Sequence, residues 1–318
     1  MPFILSMKDT YRQAVEAATG GKNTVMYDDK GNPSIMVCVN KQNYADIITG
    51  GASTPFPAFI VNGQVKNEFW MSKFQNIVHD GRAYSIPGVD ARTSITYDQS
   101  KAACEAKGAG WHLATNPEWA VIAEWAKKNG SMPRGNNNYG KDIAAPYETG
   151  RKAGTSDRVL TGSGPASWSH DGTNDGIFDL NGNIWEWVQG YKIVDGIAHV
   201  MVDNNFGDAE SLWINTGVNV TTGMTSGHKI LTLKEGVIPN SPGMLWEGLA
   251  IPATADATGA SAYGNDGYYF NALGERFPNR GGHWTTGAIA GVFALNLFYE
   301  RSFSSSYRGF RSAFISSI

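Results

Sequence analysis

The residues whose chemistry is easiest to interpret lie near the end of the chain, in two short segments that flank an apolar, strand-like run. The run spans residues 291–297, and the flanking segments span residues 283–289 and 298–308. The second segment interleaves aromatic side chains with serines, namely Phe298, Tyr299, Phe303 and Tyr307 with Ser302, Ser304, Ser305 and Ser306. Aromatic rings supply contact area at low entropic cost, and serines supply adaptable hydrogen bonds. This composition predicts molecular recognition.

The rest of the sequence offers little for catalysis or metal binding. No two histidines have the spacing that would place two metal ligands on one helix face. The histidines are His79, His112, His170, His199, His228 and His283. Cys38 and Cys104, the two cysteines, are too few for a disulfide framework, and no nucleophile-elbow pattern marks any serine. We therefore expect a protein that is not an enzyme.

One polar segment has the residue types that could hold a cation. It contains Asp171, Asn174, Asp175 and Asp179, and calcium prefers oxygen ligands of this kind. The same residue types also form turns, because their side chains bond to their own backbone. We favour turns and predict no cofactor, with a structural calcium ion as the alternative.

The composition predicts a turn-rich fold with long ordered loops. The chain has 318 residues, of which 38 are glycine and 13 are proline, and only 17% are charged. A formal net charge of −3 provides no basic face for nucleic acid or for an anionic membrane. No apolar stretch approaches the length of a membrane span, and the first residues lack the pattern of a secretory signal. We expect neither nucleic-acid binding nor membrane insertion.

Local signals predict the elements that must position the recognition segments. Capping boxes at residues 96–99 and 115–118 predict helices that run to about residues 107 and 128. Asn62-Gly63 between apolar runs predicts a tight hairpin, because both central residues of that turn need positive φ. The apolar run at residues 291–297 is predicted to be a buried strand between the two segments.

The start of the chain predicts a small α/β module. A helix that ends at Gly20-Gly21 is followed by predicted strands at residues 24–27 and 34–39. The stretch 50–57 is rich in glycine and proline and has the composition of a boundary. We predict a docking or assembly module at residues 1–55 and a ligand-binding domain at residues 56–318. The alternative is that the first segment is an extension packed on that domain.

The segment DLNGNIWEWV, residues 179–188, resembles the signature of the superfamily of formylglycine-generating enzymes and sulfatase-modifying factors. Four other segments resemble that superfamily in the same order, at residues 69–74, 97–110, 111–119 and 308–313. The resemblance implies an α+β protein with a C-type lectin-like fold, preceded by the small N-terminal α/β module.

The oxygen chemistry of that superfamily is not implied for this chain. Formylglycine-generating enzymes bind copper with a pair of late cysteines, whereas the matching final-strand position here is Ser312 and no cysteine follows Cys104. The related iron-dependent sulfoxide synthases use clustered histidines, which this sequence lacks. The Glu-Pro-Asn and Trp-Asn-Asp patterns of calcium-dependent lectins do not occur either. An oxidase of this class and a calcium-dependent lectin are the alternative functions.

The C-terminal stretch, about residues 280–315, resembles the variable region of proteins diversified by retroelements, a family that includes the phage major tropism determinant. The resemblance rests on residues 281–284, 291–297, 301–302 and 309–313. It implies a ligand-binding face formed by His283, Trp284, Thr285, Thr286, Ile289, Phe298, Tyr299, Phe303, Ser305, Ser306, Tyr307 and Arg308.

Codons offer a permissive test of that resemblance. In this family, adenines of a template copy are randomised, typically in asparagine AAY codons. Every residue of the predicted face except Trp284 can be encoded by an AAY codon in which only the adenines are replaced. Glu300 cannot, so we treat it as fixed or differently encoded, and Trp284 fits a site floor and a buried core equally well. The alternative for the aromatic residues is an ordinary core beside a serine loop.

The resemblance also implies a partner and a location. The partner would be a macromolecule, a cell-surface protein or a glycan, bound through a few aromatic anchors. A phage tail receptor-binding protein located in the virion is favoured, with residues 1–55 attaching it to other tail proteins. The alternatives are the bacterial cytoplasm and the cell surface reached by leaderless export. Oligomeric state is left open, because related variable proteins occur as trimers and as monomers.

Overall fold

The computed structural model describes residues 9–221, 226–230, 232–241, 243–254 and 260–316. In these residues the helices are α1 (Thr10–Ala18), α2 (Tyr44–Ile47), α3 (Tyr97–Glu105) and α4 (Asn116–Lys128). No helix of the described residues combines the length and apolar character needed to cross a membrane.

Strands make up most of the regular structure, and most neighbouring strands are antiparallel, so the fold is α+β, as predicted. The strands of the described residues are β1 (Asn23–Tyr27), β2 (Pro33–Asn40), β3 (Ile60–Val61), β4 (Gln64–Val65), β5 (Glu68–Ser72), β6 (Ile77–His79), β7 (Arg82–Tyr84), β8 (Trp111–Leu113), β9 (Trp185–Trp187), β10 (Tyr191–Val194), β11 (Ile197–Val200), β12 (Ile214–Asn219), β13 (Ser226–Ile230), β14 (Thr232–Leu233), β15 (Pro252–Thr254), β16 (Gly267–Asn271), β17 (Glu275–Arg276), β18 (Asn279–Gly281), β19 (Gly291–Leu297), β20 (Arg308–Phe310) and β21 (Ser312–Phe314).

Both predicted capping boxes are present. Thr96 and Gln99 exchange hydrogen bonds at the start of α3, and Thr115 and Glu118 do the same at the start of α4. Helix α3 ends at Glu105, slightly earlier than predicted, and α4 ends at Lys128, as predicted. The predicted hairpin is also confirmed, since β3 and β4 are joined by two residues, Asn62 and Gly63, that both have positive φ.

Helix α4 lies at the centre of the core. Its apolar stripe, which includes Trp119 and Ile122, is buried, and polar residues of its first turn are buried as well. The helix is covered on several sides because it packs against β19, α2 and the turn at residues 246–249. Strand β19, which lies between the two recognition segments, therefore packs directly on α4.

The beginning and the end of the chain share one five-stranded sheet of order β1-β2-β5-β21-β8. The predicted strands at residues 24–27 and 34–39 correspond to β1 and β2, and β2 pairs with β5 from Met36 opposite Ser72 to Asn40 opposite Glu68. The residues on the two sides of the 50–57 stretch are therefore joined through strand pairing. A docking role for residues 1–55 stays a prediction.

A buried ion pair ties this sheet to the larger six-stranded sheet. Arg311, between β20 and β21, donates to both carboxylate oxygens of Glu186 on β9, at 2.6 Å each. Both side chains are almost completely buried. Arg311 also donates to the backbone oxygens of Ser72 and Phe178, and Gln75 donates to Glu186 at 3.0 Å. The DLNGNIWEWV segment thus contributes the carboxylate of Glu186, whose role is structural.

Candidate ligand-binding site

The six-stranded sheet, of order β13-β16-β19-β18-β9-β20, forms the floor of an open cavity. Trp185 of β9, Tyr269 of β16 and Asn296 of β19 contribute side chains to this floor. Tyr269 and Asn296 are paired residues of adjacent parallel strands. The cavity has a volume of about 350 Å³.

The walls come from two loops that belong to the predicted recognition segments. The first loop, residues 282–290, joins β18 to β19, and the second, residues 298–307, joins β19 to β20. The aromatic cavity, as we name it, is lined by Trp185, Tyr269, His283, Thr285, Thr286, Asn296, Phe298, Tyr299, Tyr307 and Arg308. The fold thus brings seven of the twelve predicted residues to one cavity, although the two loops are attached to opposite ends of β19.

The other five predicted residues do not line the cavity. Trp284 packs against His283 and Tyr307, with ring centroids 5.3 Å and 6.0 Å away. Phe303 stacks on Tyr299 at 4.0 Å. The remaining three are Ile289 and Ser305, which are half-buried, and Ser306, which is exposed. These residues surround or support the cavity, and their contact with a ligand stays a prediction.

The backbone of the first loop is fixed by the scaffold. Gly287 N–H donates to the backbone oxygen of Asn137 at 3.0 Å, and Trp284 N–H donates to that of Asn183 at 3.3 Å. Tyr139 N–H in turn donates to the backbone oxygen of Trp284 at 2.8 Å. Main-chain bonds do not depend on the side chain at either end. The loop conformation can therefore persist when its side chains change.

The second loop is held in the same way. The backbone oxygens of Tyr299, Ser305 and Tyr307 accept from the N–H groups of Phe277, Ser94 and Trp185, respectively, at 2.9–3.0 Å. Arg301, which is outside the predicted face, adds charge-assisted bonds to Asp98 at 2.9 and 3.1 Å. Both loops are thus anchored by residues that the sequence resemblance treats as fixed.

Arg308 differs from the rest of the predicted face because it is only 1% exposed. Its Cζ atom lies 3.8 Å from the ring centroid of Tyr299, 4.8 Å from that of Phe303 and 5.0 Å from that of Tyr307. Burial lowers the pKa of this guanidinium below its usual value. Burial, together with the nearby Arg308 charge, also lowers the pKa of His283 to about 4, so His283 is neutral at pH 7.

A neighbouring loop extends the exposed apolar surface beyond the cavity. Tyr139, Ile143 and Tyr147 are 55%, 41% and 83% exposed. The hydrogen bond from Tyr139 N–H to Trp284 places this loop against the first wall of the cavity. These residues are outside the predicted face, because the sequence does not show which loops become neighbours. Trp185, Tyr269 and Asn296, which line the cavity, are outside it as well.

The candidate calcium ligands do not assemble into a site. Asp171 accepts bonds from Ser169 and Thr173 within its own turn, and the buried Asp179 accepts from Gly162 N–H at 2.9 Å. Across the described ranges, no three His, Cys, Asp or Glu residues are grouped so that they could hold a metal ion. The bonds of Asp171 are those of a turn-forming residue.

Two adjacent residues of the second loop are expected to respond differently to alanine. Phe298 is 39% exposed, so Phe298→Ala should lower the free energy of unfolding by less than about 1 kcal/mol. Tyr299→Ala removes the ring that covers Arg308 and stacks on Phe303, so we expect a loss of about 1–3 kcal/mol. Denaturant titration of both variants measures the difference. Equal losses would contradict the assignment of Phe298 to the ligand-facing side.

Fold and cavity together define a class: an α+β protein that carries an open aromatic cavity on loops of its larger sheet. The structure is similar to that of PvdO from Pseudomonas aeruginosa, with 14% identity, a TM-score of 0.41, and coverage of 92% of this chain and 97% of that one. It is also similar to Treponema denticola variable protein 1, with 13% identity, a TM-score of 0.37, and coverage of 92% and 98%.

A third similar structure is the Major Tropism Determinant U1 variant, with 12% identity, a TM-score of 0.33, and coverage of 92% of this chain and 71% of that one. No family model and no curated protein matches the sequence. A variable protein and a tropism determinant are thus among the proteins to whose structures this chain is similar.

Proposed function

We propose that this chain is a ligand-binding protein whose C-terminal loops present a replaceable set of side chains to a macromolecular partner. One observation carries the proposal: both loops are fixed through main-chain hydrogen bonds to residues outside the predicted variable set. Their side chains, in contrast, line or surround an open cavity. This arrangement allows the side chains to change while the backbone stays in place.

The lining of the cavity supports binding over catalysis. Among the described residues, no carboxylate and no thiol lines it, and its one imidazole, His283, is held neutral by burial and by Arg308. A general acid or base works best with a pKa near the operating pH, and a pKa of about 4 for His283 is far below that. At the final-strand position that matches a copper-binding cysteine, Ser312 is buried and shares a hydrogen bond of 2.9 Å with Ser72.

The extent of the exposed apolar surface favours a macromolecular partner. Phe298 lies on the cavity wall, and Tyr139, Ile143 and Tyr147 lie on the loop bonded to the opposite wall. Exposed tyrosines with an apolar neighbour are typical of residues that dominate protein recognition. A partner that covers the cavity can also contact this loop, so specificity would arise from replaceable and fixed residues together.

The sequence resemblance extends the proposal to a receptor-binding role in a phage virion, with a cell-surface protein or a glycan as the partner. Residues 1–55 would then attach the chain to other tail proteins. Strand β1 forms an edge of the five-stranded sheet, and α1 packs against it, with Arg12 Nε donating to the backbone oxygen of Val25 at 2.9 Å. The attachment role of the first segment therefore rests on the sequence resemblance.

A display library tests the proposed function. All predicted variable positions except Trp284, Tyr299 and Arg308 are randomised with NNY codons, and binders are selected against a defined probe protein, hen lysozyme. We expect most members to retain a melting temperature within a few degrees of the parent, because the anchoring bonds are unchanged, and we expect binders to emerge.

A control library randomises exposed apolar positions outside the cavity lining, including Val65 and Leu212. It should fold equally well and yield few binders. The proposal fails if most members of the first library unfold, or if the two libraries yield binders at the same frequency. A near-repeat of the gene's 3′ end that differs only opposite adenines would be independent support for diversification.

A further inference from the structure

Arg308 is a buried cation at the floor of the aromatic cavity whose hydrogen-bond partners are uncharged. Its Nε donates to Asn279 Oδ1 at 3.0 Å, and its Nη1 donates to Ser305 Oγ at 2.9 Å. The hydroxyls of Tyr299 and Tyr307 also lie close enough to interact with it. Within the described residues it forms no ion pair. A buried charge without a counter-charge is costly, so its position at a cavity calls for an explanation.

The carboxylates around the cavity are already paired with other arginines. Glu300 binds Arg276 at 2.9 Å, and Asp98 binds Arg301 through the bonds described above. On the other side, Asp90 accepts from Arg158 Nε at 2.9 Å. None of the residues that line the cavity is acidic. Arg308 is therefore the charged side chain of the described cavity lining, and its charge, after burial, contributes to the lowered pKa of His283.

Arg280 shows that a buried arginine without a carboxylate partner can be purely structural. The contacts of Arg280 and Arg308 differ, however. All acceptors of Arg280 are scaffold atoms, namely the Asn116 side chain and the backbone oxygens of residues 249, 250 and 293. Arg308 instead interacts with Ser305 and with the tyrosines of the second loop, and it lines the cavity, whereas Arg280 does not. Loop side chains can be displaced by a ligand more easily than scaffold atoms can.

We infer that the aromatic cavity accepts a carboxylate group of its ligand, with Arg308 as the counter-charge. This inference rests on the proposed function and specifies the ligand chemistry of the same site. A guanidinium matches a planar carboxylate with two parallel hydrogen bonds. The aromatic walls suit the apolar stem or ring that carries the carboxylate, and Thr285 and Thr286 add hydroxyl groups at the rim.

Three aromatic rings lie over Arg308, so a ligand reaches it only when a covering ring moves. Arg308 is almost inaccessible in this conformation, and the Tyr307 ring covers it from a half-buried position. Tyr307 contacts His283 and Trp284 through ring packing at 4.7 Å and 6.0 Å. Ring packing of this kind allows rotation at moderate cost, so Tyr307 is the side chain that we expect to swing away from an entering carboxylate.

Two sources of carboxylate fit a cavity of about 350 Å³: an aspartate or glutamate side chain of a protein, and the carboxylate of a sialic acid on a glycan. Two pairs of small probes distinguish them. The first pair is N-acetylglutamate methylamide and its neutral isostere, N-acetylglutamine methylamide. The second pair is the methyl glycoside of N-acetylneuraminic acid and its methyl ester.

The probes are titrated into the full chain up to about 10 mM, with tryptophan fluorescence as the signal because Trp185 lines the cavity. We expect the acid of one pair to bind at least about tenfold more tightly than its neutral isostere. Arg308→Met should abolish that preference, and Arg308→Lys, which keeps the charge without the planar fork, should retain part of it. Arg151→Met, at an exposed position outside the cavity, should leave the preference unchanged.

Melting temperatures are measured first, so that a variant that fails to fold is recognised; in that case the Lys variant carries the test. The inference is overturned if the acid and neutral members of both pairs bind equally, or if neither acid binds. If the randomised library still yields binders while the acids show no preference, the proposed function stands and only the carboxylate inference fails. Preference for the sialic acid probe over the glutamate probe would point to a glycan, and the reverse to a protein.

Discussion

Glu186→Gln is expected to lower the free energy of unfolding by about 3–5 kcal/mol, the usual cost of breaking a buried ion pair by removing one partner. Glu186 binds Arg311 through two bonds of 2.6 Å, and neither side chain reaches solvent. Glutamine has nearly the same shape, so the change removes the charge and little volume. The Arg311 guanidinium is then left buried without a counter-charge.

A second effect adds to the loss. Glu186 Oε1 accepts from both Arg311 and Gln75, whereas the amide of glutamine must present its NH₂ group to one of these donors. Chemical denaturation monitored by tryptophan fluorescence measures the change. Glu105→Gln is the matched control, because Glu105 forms an exposed pair with Lys101 one helical turn away. Its loss should stay below about 0.5 kcal/mol.

A double variant separates the charge from the packing. Replacing both Glu186 and Arg311 with methionine removes both charges and should recover part of the stability lost in the single variant. Recovery should be incomplete, because the backbone oxygens of Ser72 and Phe178 lose their donors. A loss of less than about 1 kcal/mol in Glu186→Gln would contradict the structural role of the pair.

Local sequence signals predicted the elements that depend on local contacts. The capping boxes of α3 and α4 and the Asn62-Gly63 hairpin form between residues a few positions apart. The strand at residues 291–297 is confirmed as β19, and every residue in it is buried. The positions of the two loops on either side of β19 can therefore be predicted from the sequence alone.

The floor of the cavity could not be predicted in the same way. Trp185, Tyr269 and Asn296 lie on three strands that are far apart in the chain, and the order in which strands pair is not encoded by alternation within each strand. β16 pairs with β19 in parallel, while β18 pairs with β19 in antiparallel fashion. The exposed loop that carries Tyr147 was missed for the same reason, since only the tertiary fold shows which wall it joins.

Arg308 shows a different limit of sequence reasoning. Its codon compatibility and its position beside Tyr307 predict a surface residue of the variable face. The structure places it beneath three aromatic rings. Arg308 is the first residue of β20, the edge strand of the six-stranded sheet, where it pairs with Trp185 of β9 and is buried. The rings of Tyr299, Phe303 and Tyr307, which belong to the predicted ligand-binding face, therefore also cover the charge of Arg308. This dual role is what makes Tyr299 more important for stability than its neighbour Phe298.

Trp119→Ala is expected to cost about 3–5 kcal/mol of unfolding free energy, and it is also expected to disturb the cavity from below. Trp119, in the first turn of α4, is 1% exposed, and its Nε1 donates to the backbone oxygen of Val292 on β19 at 2.6 Å. Its ring also lies 5.7 Å from the Arg311 guanidinium. Alanine would leave a cavity between the helix and the strand and would release the start of β19.

The effect on the site follows from the position of β19. Both walls of the aromatic cavity are attached to the ends of this strand, so its displacement should lower the affinity of selected binders even though no ligand-facing residue is changed. Trp125→Ala is the control on the same helix, because Trp125 is only partly buried, against His170, and should cost about 1 kcal/mol without affecting binding. Normal binding and stability in Trp119→Ala would show that the loops do not depend on this helix. The proposed function requires loops whose side chains can be replaced and a framework whose core side chains cannot. It therefore predicts a large loss of stability in Trp119→Ala together with a near-neutral change in Phe298→Ala.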